Sequence, residues 1–225
     1  MPWTDPSPVN ALTGECERVA DVVLALDEGA FSLPTRCPPW DVKALLGHLY
    51  RDVDRILQYR DEPAGRPNTT AVSYWRSYDR VGDAPAIAAR AVEIADAHPT
   101  GRALARAFDA RWREALTAAL EMSPDRPFRT FRPTLRLDEF VKTRVLELAV
   151  HGLDLADALG REPWITPGSV EVVRAILIGL LEDDLPAELD WDDVTFIEAG
   201  TGRRRLLGTE RATLGERADR FPLLS

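Results

Sequence analysis

The chain has 225 residues, of which 28 are basic and 37 acidic, so its net charge at pH 7 is −9 and its isoelectric point lies near 4.9. An acidic surface repels phosphate backbones, which argues against a nucleic-acid partner. The longest strongly apolar run, residues 175–181, is far shorter than the roughly 20 residues that cross a bilayer. The first ten residues lack the basic and apolar regions of a signal peptide, so we expect a cytoplasmic protein without a membrane anchor.

The cysteines agree with this expectation, and the scarcity of lysine indicates the base composition of the genome. Cys16 and Cys37 are the two cysteines, and their separation is not that of metal ligands, so we expect both to be reduced thiols. Lys43 and Lys142 are the only lysines among the basic residues. Together with the many alanines, glycines, prolines and aspartates, this arginine bias is typical of a GC-rich genome.

Helical signals dominate the first 162 residues. Apolar residues recur at helical spacing, Asp41 is a natural N-cap, and Gly160 is a typical helix stop. Residues 124–133 are expected to be irregular or extended. The predicted helices are, in chain order, about 8–29, 41–60, a short one within 69–80, 85–122 with a break or kink at His98-Pro99, and 138–159.

The C-terminal part has a different pattern. Residues 167–183 indicate another helix. The β-branched and aromatic run that starts at Val194, the Gly-Thr-Gly at 200–202 and the arginines that follow predict a hairpin ending near Leu207. The sequence therefore predicts a mainly α protein, with a helical bundle at 1–162 and a short α/β extension at 163–225.

The second predicted helix places one of three histidines near its apolar face. At 100° per residue its apolar residues form one stripe, and His48 lies at the margin of that stripe, one turn before Asp52. A marginal position suits a side chain that faces a pocket. It equally suits a partly buried histidine with a hydrogen bond.

The helix at 138–159 carries a charged stripe between two apolar flanks. Arg144, Glu147, His151 and Asp154 fall within a sector of about 80°. A helix with apolar flanks is expected to be central, and buried charges need partners. The stripe could consist of two pairs, Arg144 with Glu147 and His151 with Asp154. Alternatively, Glu147 and His151 could both ligate a metal, with His48 as a third ligand.

Two imidazoles and one carboxylate bind zinc or a similar divalent ion and leave coordination positions open. This is the arrangement of a catalytic metal site. The interiors of helix bundles commonly house such sites on facing helices. The spacing of Glu147 and His151 alone is a weak signal, because helices produce it often.

Two motifs resemble those of a known family. Cys37-Pro-Pro-Trp40-Asp-Val-Lys-Ala-Leu-Leu-Gly-His48-Leu is similar to the second-helix signature of mycothiol-dependent maleylpyruvate isomerases. Arg144-Val-Leu-Glu147-Leu-Ala-Val-His151-Gly-Leu-Asp154-Leu resembles their fourth-helix signature. These enzymes belong to the wider DinB-like metalloenzyme group. The resemblance covers roughly residues 12–181 and implies a DinB-like four-helix bundle with His48, Glu147 and His151 as metal ligands.

The resemblance also implies a chemistry. Mycothiol, the low-molecular-weight thiol of actinobacteria, would be the cosubstrate, and a divalent metal, zinc in the first place, would lower its pKa. The thiolate would add to a small electrophile, in an isomerase or in a thiol S-transferase. The alternative is a non-catalytic metal-binding protein with a stress or small-molecule-binding role. We expect a monomer or a homodimer.

The chain departs from the family at the C-terminus. The isomerases have a larger α/β domain there, whose arginine is thought to act on the substrate carboxylates. Arg203, Arg204 and Arg205 lie in the predicted hairpin, but none of them aligns with that arginine, and a solvated edge strand is the simpler expectation. The departure puts maleylpyruvate itself in doubt as the substrate.

Several further residues have expected roles. Arg144 either binds a carboxylate of the substrate or thiol, or pairs with Glu147. Asp154 is expected to orient His151, and Asp52 could orient His48 in the same way. The remaining expectations are a surface position for His98, a packing role for Trp40, and either burial or a place at a pocket mouth for Tyr74, Trp75 and Tyr78.

Overall fold

A computed structural model describes residues 2–4, 7–130 and 133–224, apart from the side chains of residues 80 and 81. Residues 131 and 132, which belong to the segment expected to be irregular or extended, lie outside this description. The helices of the described residues are α1 (Pro8–Leu24), α2 (Val42–Gln58), α3 (Ala71–Arg76), α4 (Arg80–Asp96), α5 (Gly101–Glu121), α6 (Leu137–Ala158), α7 (Pro167–Leu181), α8 (Asp193–Gly200) and α9 (Gly208–Leu214).

Side-chain caps fix where several helices begin. The Asp41 carboxylate accepts a hydrogen bond from the backbone N–H of Ala44 at 2.8 Å, which starts α2 as predicted. Thr100 caps α5 through the N–H of Ala103. The break at His98-Pro99 is therefore confirmed, because α4 ends at Asp96 and α5 starts with its own cap. At the other end of α6, Gly160 adopts a positive φ of 60°, a conformation that suits glycine.

Helices α1, α2, α5 and α6 form the bundle. α2 packs on α5 and α6, and α1 packs on the same two helices. Their facing side chains build one continuous apolar core, in which Leu12, Leu45, Phe108 and Leu148 have no exposed surface. The predicted mainly α fold is confirmed.

Helix α4 lies against the outside of α2, and a glycine permits the close approach. A Cβ on Gly47 would lie 2.5 Å from the backbone oxygen of Ala91, which is nearer than any real contact allows. Only glycine fits this position without moving α4. Because Gly47 precedes His48, the same contact brings α4 to the edge of the candidate site.

The predicted C-terminal hairpin is wrong. The run from Val194 lies in α8, which Asp192 caps by accepting a hydrogen bond from the N–H of Thr195 at 2.7 Å. Phe196 and Ile197 are fully buried on the inner side of this helix. β propensity depends strongly on context, and here the cap and the burial of the apolar residues favour a helix.

The strands of the described residues lie elsewhere in the chain. β1 (Pro127–Arg129) and β2 (Thr134–Arg136) form an antiparallel pair just before α6, with Phe128 opposite Leu135. α7 packs on α1 and α6, and the division into residues 1–162 and 163–225 stays a prediction. None of the described helices combines the length and the apolar character that a membrane crossing requires.

Candidate metal centre

The structure brings His48, Glu147 and His151 together. Glu147 Oε2 lies 3.2 Å from His48 Nε2 and 3.3 Å from His151 Nε2. The two imidazole rings are nearly perpendicular, with centroids 4.8 Å apart. α2 supplies one of the three side chains and α6 the other two, so the site forms where these two bundle helices face each other.

The distances from Glu147 to the two histidine nitrogens fit a divalent ion, and all three donor atoms lie within 4.8 Å of one another. Zinc binds histidine nitrogens and carboxylate oxygens at about 2.0–2.2 Å, so tetrahedral ligands lie about 3.3–3.6 Å from one another. The observed 3.2 and 3.3 Å separations are close to these edge lengths. A nitrogen from each histidine and one carboxylate oxygen are also donors that zinc accepts well.

The three groups open onto a cavity of about 420 Å³. The side chains of His48, His151 and Glu147 keep 8%, 10% and 16% of their surface exposed, so an ion held there would face the cavity on one side. Other described residues that line the cavity are Arg36, Cys37, Pro38, Trp40, Trp75, Tyr78, Ala84, Ile87, Ala88, Leu146, Val150, Thr201, Gly202, Arg203 and Leu224. The size is within the usual range for a small-molecule site.

Glu147 is held in its ionised form. Burial alone would raise the pKa of this carboxyl, but hydrogen bonds with His151 and His48 and the nearby positive charge keep the pKa well below its usual range. The ionised carboxylate is the form that binds a metal.

Asp154 fixes the orientation of His151. Its Oδ2 lies 2.7 Å from His151 Nδ1, so Nδ1 carries the proton and Nε2 points toward Glu147. Burial would lower the pKa of His151, yet hydrogen bonds with Asp154, Cys37 and Glu147 raise it well above its usual value. Burial opposes ionisation of Asp154 too, and the bonds from His151 and Arg203 nevertheless hold its pKa far below normal.

Asp154 is also the meeting point of two arginines that lie far from it in sequence. Arg203 donates to it from Nε at 3.2 Å and from Nη2 at 2.9 Å. Arg36 donates from Nε at 2.6 Å and reaches Glu198 with Nη1 at 2.8 Å. The prediction that Arg203 lies on a solvated edge strand is therefore wrong, because its side chain borders the cavity beside the candidate ligand His151.

Arg204 and Arg205 do not take part in this arrangement. Arg204 forms an ion pair with Glu210 at 2.5 Å, and Arg205 is exposed. Glu210 also accepts hydrogen bonds from the backbone N–H of Leu207 and from Trp191 Nε1. These contacts fix the loop between α8 and α9, which carries Arg203.

Arg144 lies behind the site, with no exposed side-chain surface. Its Nη1 donates to Asp52 Oδ1 at 2.5 Å, so its observed partner is Asp52 rather than Glu147. Asp52 Oδ2 in turn lies 3.4 Å from His48 Nε2. This chain of contacts favours a positioning role for Arg144 over direct contact with a substrate.

Trp40 and Cys37 are site residues that sequence reasoning did not place there. The Trp40 ring stacks on His48, with centroids 4.9 Å apart and planes 27° from parallel. Cys37 Sγ lies 3.1 Å from Asp154 Oδ2. Both residues belong to the second-helix motif, which is the one sequence signal that could have indicated them.

Tyr74, Trp75 and Tyr78 differ in burial and in whether they line the cavity. Tyr74 and Trp75 are buried, and Trp75 and Tyr78 line the cavity. His98 is outside the site, where its Nδ1 lies 2.9 Å from the backbone oxygen of Ile94.

Comparison with known proteins gives the family. Residues 12–156 match the family model described as the mycothiol maleylpyruvate isomerase N-terminal domain. The chain belongs to this family. The match includes all three candidate ligands and ends before Arg203. No curated protein and no solved structure shows a significant match to the chain.

Proposed function

We propose that this protein is a metal-dependent enzyme that uses mycothiol as a nucleophile toward a small electrophilic substrate. The observation that carries the proposal is the convergence of His48 Nε2, Glu147 Oε2 and His151 Nε2 at the wall of an open cavity. The family match supports the choice of thiol. Zinc is the first candidate for the ion, because the donor set and spacing suit it.

The side chains around the site would hold the ligands in place. A divalent ion bound by them would lower the pKa of a coordinated thiol, so that the thiolate is populated near neutral pH. Asp154 accepts a hydrogen bond from His151 Nδ1, so Nε2 is the nitrogen that would ligate the ion, after losing its own proton. Trp40 restricts the His48 ring by stacking on it. The apolar side chains of the cavity exclude water from the electrophile.

The proposed reaction begins with addition. The sulfur forms a bond to an electrophilic carbon, and a proton is taken up at the neighbouring carbon. In an isomerase, rotation about the resulting single bond and loss of the same thiolate and one proton return a trans double bond. In an S-transferase, the adduct is released. We propose the cytoplasm as the location and a monomer or homodimer as the assembly.

The test combines metal analysis with thiol consumption. We expect about one divalent ion per chain in the purified protein and metal-dependent consumption of mycothiol in the presence of a Michael acceptor. Chelation and His48→Ala should each abolish this activity, while His98→Ala, which changes a histidine outside the site, should retain it. A protein that binds the ion and mycothiol but does not accelerate addition would be the non-catalytic alternative.

A further inference from the structure

The two arginines beside the metal centre are already neutralised by protein carboxylates. Arg203 uses Nε and Nη2 for Asp154 and donates from Nη1 to the backbone oxygen of Thr201 at 3.0 Å. Arg36 bonds to Asp154 and Glu198. Two cations thus face two carboxylates, and this part of the cavity wall has a formal charge of zero.

Two cavity-lining side chains each carry a buried donor atom that is still unpaired. Arg36 Nη2 and Trp75 Nε1 are buried atoms without a hydrogen-bond partner among the described residues. A carboxylate is usually bound by two parallel donors of one guanidinium, but Arg36 Nε and Nη1 already donate to Asp154 and Glu198. Lone donor atoms on two different side chains suit a neutral carbonyl or ester oxygen better. The carboxylate that receives two donors from Arg203 is Asp154 itself.

The remaining cavity walls are largely apolar. Trp40, Trp75, Ile87, Leu146, Val150 and Leu224 all line it. Moving a charged group from water into such surroundings without a partner is unfavourable. Moving an aromatic or aliphatic group there is favourable.

The charge of the loaded site would lead to the same conclusion. A divalent ion, ionised Glu147 and a thiolate would together carry no net charge, as do Arg36, Arg203, Asp154 and Glu198. A carboxylate on the electrophile would therefore add an uncompensated negative charge close to Asp154, Glu147 and the thiolate. We propose that the electrophile of this cavity is an uncharged, largely apolar carbonyl or ester compound. This inference rests on the proposed function and specifies its substrate class.

Matched pairs of electrophiles test the proposal. Metal-loaded protein and mycothiol are incubated with one electrophile at a time. The first pair is dimethyl maleate and maleate, and the second pair is methyl 3-benzoylacrylate and 3-benzoylacrylate. Each rate is divided by that of the uncatalysed thiol addition, because the free acids are intrinsically less electrophilic. We expect the normalised acceleration to be roughly tenfold or more greater for the esters, because they bring no charge into the cavity. An equal or greater acceleration for the acids would overturn the proposal.

A charge variant gives an independent check. Glu198→Gln removes one of the two carboxylates and leaves Arg36 with unbalanced positive charge, without touching a proposed metal ligand. We expect the ratio of acid to ester acceleration to rise about threefold or more. Glu188→Gln, at an exposed position, makes the same change in net charge and should leave the ratio unaltered. An unchanged ratio in Glu198→Gln would contradict the argument that the absence of net charge in this part of the cavity wall disfavours acids.

Binding of unreactive analogues separates this inference from the proposed function. Methyl 3-benzoylpropionate and 3-benzoylpropionate lack the double bond, and their binding can be followed through the fluorescence of Trp40 and Trp75, which line the cavity. We expect the ester to bind about fivefold or more tightly than the acid. If no electrophile is turned over but the ester binds better, the proposed reaction fails while the inference stands. Tighter binding of the acid overturns the inference even if catalysis is found.

Discussion

Arg203 Nη2 lies 2.9 Å from Asp154 Oδ2, the same oxygen that lies 2.7 Å from His151 Nδ1. One carboxylate oxygen thereby links the C-terminal part of the chain to a proposed metal ligand. The bond gives the orientation of His151 a second support, in addition to the packing of α6.

Asp154→Asn should weaken metal binding without unfolding the protein. Loss of a carboxylate that orients a ligating histidine typically costs about 10–100-fold in metal affinity. Competition with a chromogenic chelator measures this change. Asp157→Asn is the matched control, because Asp157 is exposed on the same helix, and its affinity should equal that of the wild type. Equal affinities in both variants would contradict the role given to Asp154.

Arg144→Met should destabilise the fold strongly, because it leaves Asp52 buried without its 2.5 Å partner. Removing one member of a buried ion pair costs about 3–5 kcal/mol. Replacing both residues, with Asp52→Leu added, should recover part of the free energy of unfolding. Urea denaturation measures each value. A double variant that is less stable than Arg144→Met would contradict the view that the unpaired charge of Asp52 causes the loss of stability.

Gly47→Ala should move α4 away from α2. The added Cβ would meet the backbone oxygen of Ala91, which cannot be relieved by rotating a side chain. We expect a loss of about 1–3 kcal/mol in the free energy of unfolding, as for other overpacked sites. Gly65→Ala, where a Cβ meets nothing within 4 Å, is the control and should be nearly neutral. Equal stabilities of the two variants would contradict the close packing of α4.

Glu210→Gln should destabilise the loop that carries Arg203 in a pH-dependent way. Hydrogen bonds from Arg204 lower the pKa of Glu210 from 4.5 to about 2. Because the folded-state pKa is depressed, the stabilisation is present above pH 4.5 and disappears as the pH falls toward 2. Since the pair is partly exposed, we expect a difference of only about 1 kcal/mol at pH 7.

Urea unfolding at several pH values tests the Glu210 prediction. The difference between wild type and Glu210→Gln should shrink through the acidic range. Glu216→Gln, at an exposed position, should differ little from wild type throughout. A Glu210 effect that stays constant down to pH 2 would rule out the ion pair as its source.

Local periodicity predicted most of the bundle, whereas the meeting of the three candidate ligands was one of two alternatives that the resemblance to the family favoured. α2 is a long amphipathic helix, and α6 is a long, centrally buried one. The position of His48 at the margin of the apolar stripe and the charged stripe of α6 could therefore be identified from spacing alone. Of the two pairs considered for that stripe, His151 with Asp154 is present, whereas Arg144 bonds to Asp52 on another helix. Spacing along one helix cannot reveal such a partner.

The remaining site residues depend on long-range packing. Arg203 and Arg36 reach Asp154 from loops whose course is set by how α8 and α2 pack, and no periodicity records that contact. The run from Val194 has β propensity, but the Asp192 cap and the buried face of α8 outweigh it. Trp40 stacks on His48 because the turn before α2 folds back over the site, which composition does not predict.

The position of Arg203 in the chain has a consequence for assembly. His48, Glu147 and His151 all precede it, so the ribosome completes the proposed ligand set before the residue that closes this wall of the cavity has been made. This wall of the cavity is therefore contributed by a later segment of the chain than the one that carries the three candidate ligands.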